Sequence, residues 1–246
     1  MEQYQENFKR YEKKYMLKET QYNRLRKELN QRMEEDQYGL HTICNIYYDT
    51  PDFRMIRKSL EKPVYKEKLR LRSYGVPEKN DPVFLEIKKK FKGIVYKRRV
   101  SMTDEKAMGY LNKGMATEID SQIMHEIDWL VHRYESIQPA VYIAYDRIAL
   151  FQKENPDLRV TFDQKIRFRT ENLDLCGGSY GTEIINKNEI LMEVKIPGAV
   201  PIWMSELLGK LQIYPVSFSK YGMCYQKYIL PSFMQKTEQR GGQNCA

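Results

Sequence analysis

The sequence predicts an α+β protein built on one closed or strongly curved antiparallel sheet. Three observations carry this. About eight segments either alternate apolar and polar residues with period two or are rich in β-branched and aromatic side chains. Several are joined by short turn-rich stretches, as hairpins are. The helical segments gather at the start, middle and end of the chain, without the strand–helix alternation of a parallel sheet.

"FKRYEKKYML" (8–17) reads as a strand with Arg10, Glu12 and Lys14 on one parity. "KETQYNRLRKELNQRMEE" (18–35) is an amphipathic helix with Tyr22, Leu25, Leu29 and Met33 at helical spacing. "HTICNIYYDT" (41–50) is a strand, ended by Asp49-Thr50-Pro51-Asp52. Residues 52–60 form a short helix or turn, and Pro63 separates it from a strand over 66–74. There Lys66, Lys68, Arg70 and Arg72 share one face, with Leu69 and Leu71 on the other. "PVFLEIKKK" (82–90) and "KGIVYKRRV" (92–100) pair as a hairpin turning near Lys92-Gly93. Helices follow over 103–114, opened by a capping signature, and 118–136, with Ile119, Ile123, Ile127 and Leu130 as core stripe. Strands 139–151 and 158–169 form a second hairpin around "QKENPD". In the latter, Arg159, Thr161, Asp163, Lys165, Arg167 and Arg169 alternate with Val160, Phe162, Gln164, Ile166 and Phe168. A last strand covers 186–198, and helices cover 201–212 and 217–230.

Length and composition agree with this plan. A chain of 246 residues, 41% hydrophobic, buries a real core as a single domain over 1–235, with 236–246 a disordered tail. Cys44, Cys176, Cys224 and Cys245 show no C-x-x-C spacing and read as free thiols of an intracellular protein. The N-terminus has no apolar signal core, and no stretch approaches the ~20 apolar residues of a spanning helix. A cytoplasmic location is expected. The net charge of +8 points to an anionic partner.

Taken singly, each polar strand face belongs in water. Taken together, at least four strands carry two or more cations on that face, each with an acid nearby. If the sheet curls with these faces inward, it encloses a cationic lumen holding a few carboxylates. Buried cations without counter-charge are costly, so such a lumen is wet and takes an anion. A triphosphate or polyphosphate suits it. The carboxylates suit Mg²⁺ or Mn²⁺ beside phosphate oxygens.

"NIYYDTPDFRMIRKSLEKPVYKEKLRLRSYG", "VFLEIKKKFKGIVYKRRV", "YDRIALFQKENPDLRVTFDQKIRF", "LMEVKI" and "FSKY" resemble, in order, the VTC (vacuolar transporter chaperone) catalytic domain, one of the triphosphate tunnel metalloenzymes. The resemblance covers about 8–230. It implies an eight-stranded antiparallel β-barrel tunnel with flanking helices, CYTH-like, that grows polyphosphate from the ATP γ-phosphate with a divalent metal. By motif it makes Lys14, Arg70, Arg72, Lys88, Lys97, Arg147, Arg159 and Lys220 phosphate-binding residues. Of these, Arg70, Arg72, Arg147 and Lys220 are the catalytic candidates. Glu193 of "MEVK" is the metal ligand, with Glu86 and Asp163 as further candidates. Lys66 and Lys68 fall at a tunnel entrance. The wider superfamily's Glu-x-Glu-x-Lys strand has Arg10 in place of its first glutamate, and Ser217 stands where a second lysine of the closing helix is found. The phosphate-sensing domain and membrane spans that accompany this domain in fungi are not in this sequence, so export would need a membrane-protein partner.

The reaction expected is phosphoryl transfer from ATP to polyphosphate, which depends on positioning and charge neutralisation more than on a nucleophilic side chain. Two alternatives stand beside it: a hydrolase cleaving tri- or polyphosphate in the same tunnel, and a non-catalytic polyphosphate- or RNA-binding module. Nucleic acid is disfavoured because the cations alternate with core residues instead of clustering with exposed aromatics. His41, His125 and His132 are read as surface or packing residues.

Overall fold

The computed structural model describes residues 11–234, apart from Gly93 and Pro197. Arg10, Cys245 and the 236–246 tail lie outside the described residues. Eight long strands form one antiparallel sheet: β1 (Tyr11–Lys18), β3 (His41–Asp49), β4 (Tyr65–Tyr74), β5 (Pro82–Phe91), β6 (Ile94–Thr103), β7 (Gln138–Phe151), β8 (Arg159–Arg169) and β10 (Glu189–Ile196). Two-residue strands β2 (Glu34–Glu35) and β9 (Thr182–Glu183) add to β7 and β8. The path runs β1-β10-β8-β7-β3-β4-β5-β6, and both expected hairpins are present. The sheet curls strongly. Lys88 of β5 reaches Glu12 of β1 at 3.5 Å, although these strands stand seventh and first in the path. The two end strands do not pair with each other among the described residues, so curvature, not a closed ladder, makes the concavity.

The helices are α1 (Glu19–Leu29), α2 (Arg54–Leu60), α3 (Asp104–Lys113), α4 (Gln122–Arg133), α5 (Ile202–Lys210) and α6 (Lys220–Cys224), the last continued by a π-helical turn (Tyr225–Ile229). Two are shorter than their sequence patterns. α1 stops at Leu29 because Glu34 and Glu35 pair with Phe151 and Leu150 of β7. α4 begins at Gln122 because the Ser121 hydroxyl accepts the Met124 N–H and takes the N-cap.

Alternation sets the two faces. On the convex side, Leu69, Leu71, Leu85 and Ile87 pack against Ala107, Leu111, Ile127 and Leu130 of α3 and α4. Further along it, Val160, Phe162 and Val194 pack against Leu25 and Leu29 of α1 and Met204 and Leu208 of α5. Each such side chain contributes ~1.5–3 kcal/mol on burial. A third core lies on the concave side, where Ile43, Val141, Ile143, Ile166 and Phe168 meet Tyr221, Cys224 and Tyr225. It seats α6 inside the curl. Asp49, at the end of β3, secures that seat: it accepts the Met55 and Ile56 N–H groups of α2 and the Tyr221 hydroxyl of α6, all at 2.8–2.9 Å.

β8 departs from the unbroken alternation read over 158–169. Gln164 pairs with Asp146 and Arg167 with Ala144, so Lys165 and Ile166 together oppose Tyr145. Lys165 adopts φ 48°, in the left-handed region. This β-bulge inverts the facing of the second half of the strand. Thr161 and Asp163 face inward, but beyond the bulge Ile166 and Phe168 do. Arg167 and Arg169 turn away from the lumen. Arg167 binds Asp146 and the Ser179 hydroxyl, and Arg169 gathers the carbonyls of Asn172, Asp174, Gly178 and Tyr180. The two cations strap the 170–181 loop.

Cys44, Cys176 and Cys224 are free thiols. Among the described residues, no helix is long and apolar enough to cross a membrane.

Candidate functional site

The leucines of β4 pack outward, so Arg70 and Arg72 project into the concavity. Glu86 of β5 lies opposite Arg70 in the register. Arg70 donates to Glu86 Oε2 from Nε at 2.8 Å, and its Nη2 is 2.7 Å from the same oxygen. Lys97 Nζ of β6 is 2.7 Å from Oε1. Burial pushes the Glu86 carboxyl up, but Arg70, Arg72 and Lys97 outweigh it and hold it well below the usual carboxylate range. Arg72 donates from Nε to Asn45 Oδ1 and from Nη2 to the Tyr145 hydroxyl, both at 2.9 Å.

A second cluster forms where β7, β8 and α6 meet. Arg147 and Asp163 are cross-strand partners. Arg147 grips Asp163 with two donors, Nε to Oδ1 at 2.5 Å and Nη2 to Oδ2 at 2.7 Å. Lys220 Nζ donates to Oδ2 at 2.5 Å. Burial raises the Asp163 carboxyl, and the two cations more than reverse this. Fork geometry of this kind orients as well as neutralises.

Glu193, opposite Lys14 in the β1–β10 register, lies among four cations. Lys14 stands at 3.4 Å, Lys220 at 3.6 Å, Arg147 at 3.8 Å and Lys195 at 3.9 Å. Glu12 completes the wall, with Lys14 and Lys88 each at 3.5 Å. Burial raises Glu12, but Lys88 and its neighbours bring it down to about 2. Burial also pushes the Lys195 and Lys97 ammonium groups down to about 8. Lys14, Lys68, Arg70, Arg72, Lys88, Lys97, Arg147, Lys195 and Lys220 thus face Glu12, Glu86, Asp163 and Glu193, an excess of five positive charges. An excess of that size in one concavity demands a polyanion.

Of the residues singled out in the sequence, the curl brings together Lys14, Arg70, Arg72, Lys88, Lys97, Arg147, Lys220, Glu193, Glu86 and Asp163. Arg159 stands apart: it is exposed at the start of β8, and its Nε donates to Pro156 O at 3.3 Å. Glu12, Lys195, Tyr47 and Tyr145 join the site without having been named as site residues, the Tyr47 hydroxyl accepting from Arg70 Nη1 at 3.2 Å. The inward parity of β1 and β10 marks the first two. The tyrosines give no signal, since each also reads as ordinary strand aromatic.

The donors were tested against a divalent metal. Glu193 and Glu12 fit: their carboxylates meet at the Lys14 ammonium and offer hard oxygens on one wall. Glu86 and Asp163 are held more tightly: Arg70 and Lys97 stand 2.7–2.8 Å from the Glu86 oxygens, and Arg147 and Lys220 2.5–2.7 Å from those of Asp163, against 3.4–3.9 Å for the cations around Glu193. A group of donors within 4.8 Å of one another, Asp104, Asp174 and Cys176, lies at the start of α3 on the convex side and is no part of this site.

A structure of a Bacillus halodurans protein described as a "putative adenylate cyclase" has this fold, with TM-score 0.55 and 13% identity over 86% of this chain and 95% of that one. A Vibrio parahaemolyticus protein with the same description aligns at TM-score 0.48 and 10% identity, over 89% and 98%. No curated protein matches this chain in sequence. The family model of the VTC domain matches residues 9–229, every strand of the curled sheet and the helix seated within it. The chain therefore belongs to the VTC-domain family, and its concavity is a triphosphate tunnel.

Proposed function

We propose that this protein is a polyphosphate polymerase-like phosphotransferase that moves the ATP γ-phosphate onto a polyphosphate chain. The observation that carries the reading is the excess of positive charge in the tunnel, held by side chains already fixed on buried carboxylates. Arg70, Arg72, Lys88 and Lys97 on one wall, and Lys14, Arg147 and Lys220 on the other, cradle the phosphates and neutralise charge that develops on the transferred group. A terminal oxygen of the acceptor chain attacks the γ-phosphorus, the bond to the β,γ-bridging oxygen breaks, and ADP leaves. Asp163 keeps Arg147 and Lys220 aimed at the reacting phosphates. Members of this family generally use a divalent metal. Glu193, with Glu12 beside it, would hold Mn²⁺ or Mg²⁺, which would help neutralise the phosphate charge.

The test incubates the purified protein with ATP and either metal and follows free phosphate and polyphosphate length together. Long chains are the expected result. Free phosphate without chain growth would assign a tri- or polyphosphate hydrolase instead. Glu193→Ala is expected to lower turnover at least about a hundredfold; unchanged turnover would remove the metal assignment.

A further inference from the structure

Nearly every cation of the tunnel has a carboxylate partner. Lys68 does not. Its Nζ donates to Ser219 Oγ at 3.0 Å, and among the described residues no carboxylate lies within ion-pair distance of it. The Ser219 hydroxyl already accepts the Gly222 N–H, so it is a shared and neutral partner. The surroundings are cationic on every side. Lys88 lies directly opposite on β5, Lys66 and Arg70 flank Lys68 on β4, and Lys14 faces it from β1. Like charges placed this way repel, and an ammonium has three donors, of which one is used among the described residues. Burial and these four cations push the Lys68 ammonium down to about 7.

We infer that Lys68 is a phosphate-binding residue inside the tunnel, and that a linear phosphate anion enters together with a proton taken up at Lys68. The inference rests on the tunnel reading above and adds a residue and a proton to it. An anionic oxygen beside Lys68 supplies the counter-charge that the protein withholds. It favours the charged amine and makes binding pH-dependent.

The test titrates the full chain with inorganic tripolyphosphate by calorimetry at pH 8, in two buffers of different ionisation enthalpy, so that proton uptake is counted directly. Lys68→Arg carries a permanent charge. It is expected to bind within about threefold of the wild type while taking up about one proton fewer. Lys68→Met is expected to bind about ten- to a hundredfold more weakly. Because it removes a like charge from a repulsive cluster, it should melt no lower than the wild type. Equal proton uptake by wild type and Lys68→Arg, or undiminished affinity in Lys68→Met, overturns the inference and leaves the tunnel reading intact. Absence of any tripolyphosphate binding by the wild type overturns both. Repeating the titration with ATP separates a site for the nucleotide's phosphates from one for the inorganic chain: loss of affinity in Lys68→Met for ATP alone overturns the assignment to the inorganic chain.

Discussion

Asp163→Asn tests whether the tunnel's carboxylates hold its cations in place. Asp163 is 0% exposed and is the nearest carboxylate to Arg147 and Lys220, themselves only 9% and 8% exposed. The amide keeps the shape but removes the charge and turns one acceptor into a donor facing donors. Two charge-assisted partners at ~1.5–3 kcal/mol each match the ~3–5 kcal/mol seen when a buried pair is broken from one side. Glu193, 3.6 Å from Lys220 and 3.8 Å from Arg147, takes over part of the role, so the lower end, about 3 kcal/mol, is expected. Urea unfolding at pH 7 measures it. Added tripolyphosphate should restore more stability to the variant than to the wild type, since the ligand can replace the missing anion. A loss below about 1 kcal/mol with an unchanged urea slope would refute the reasoning. It would mean that water in the lumen already solvates these cations.

Three further outcomes are expected. Glu12 is held at about 2 against an ordinary 4.5, and Glu86, Asp163 and Glu193 are also depressed. Their contribution is present above the unfolded carboxylate range and lost as pH falls from 4.5 towards about 2, so melting temperature followed against pH should drop across that window. Arg72→Ala should weaken tripolyphosphate binding about tenfold or more, whereas Arg159→Ala, exposed at the start of β8, should change it less than about threefold; equal losses would place Arg159 on the bound anion. Lys165→Gly should raise stability by up to about 1 kcal/mol in a urea melt, because glycine accepts φ 48° without strain; a clear loss would mean that the lysine side chain, not the backbone, holds the bulge.

Much of this was legible in the sequence because one rule, strict alternation, governs β4 and β5. Leu69 and Leu71 require a core on one side, which sends Arg70 and Arg72 to the other without further information. Their partner was not legible. Glu86 meets Arg70 only through the β4–β5 register, and Glu12 meets Lys88 only because the sheet curls until its first and seventh strands touch. The same alternation misled on β8. No glycine marks the bulge at Lys165, so Arg167 and Arg169 read as lumen residues when they hold a loop on the outside. Arg159 shares the inward parity and lies opposite Lys195 in the β8–β10 register, yet sits at the strand's exposed beginning, where its Nε turns to Pro156 O.

The bulge also acts as a depth setting. Before it, β8 contributes charge to the lining, and after it the same strand contributes the greasy floor on which α6 rests and from which Lys220 is presented. Sliding that single extra residue two positions towards Arg159 would lengthen the floor and shorten the charged lining by one side chain, with no change to strand count or topology. A one-residue insertion paired with a one-residue deletion in this one strand would therefore turn Asp163 out of the lumen and leave Arg147 and Lys220 without it, changing the charge balance of the lining.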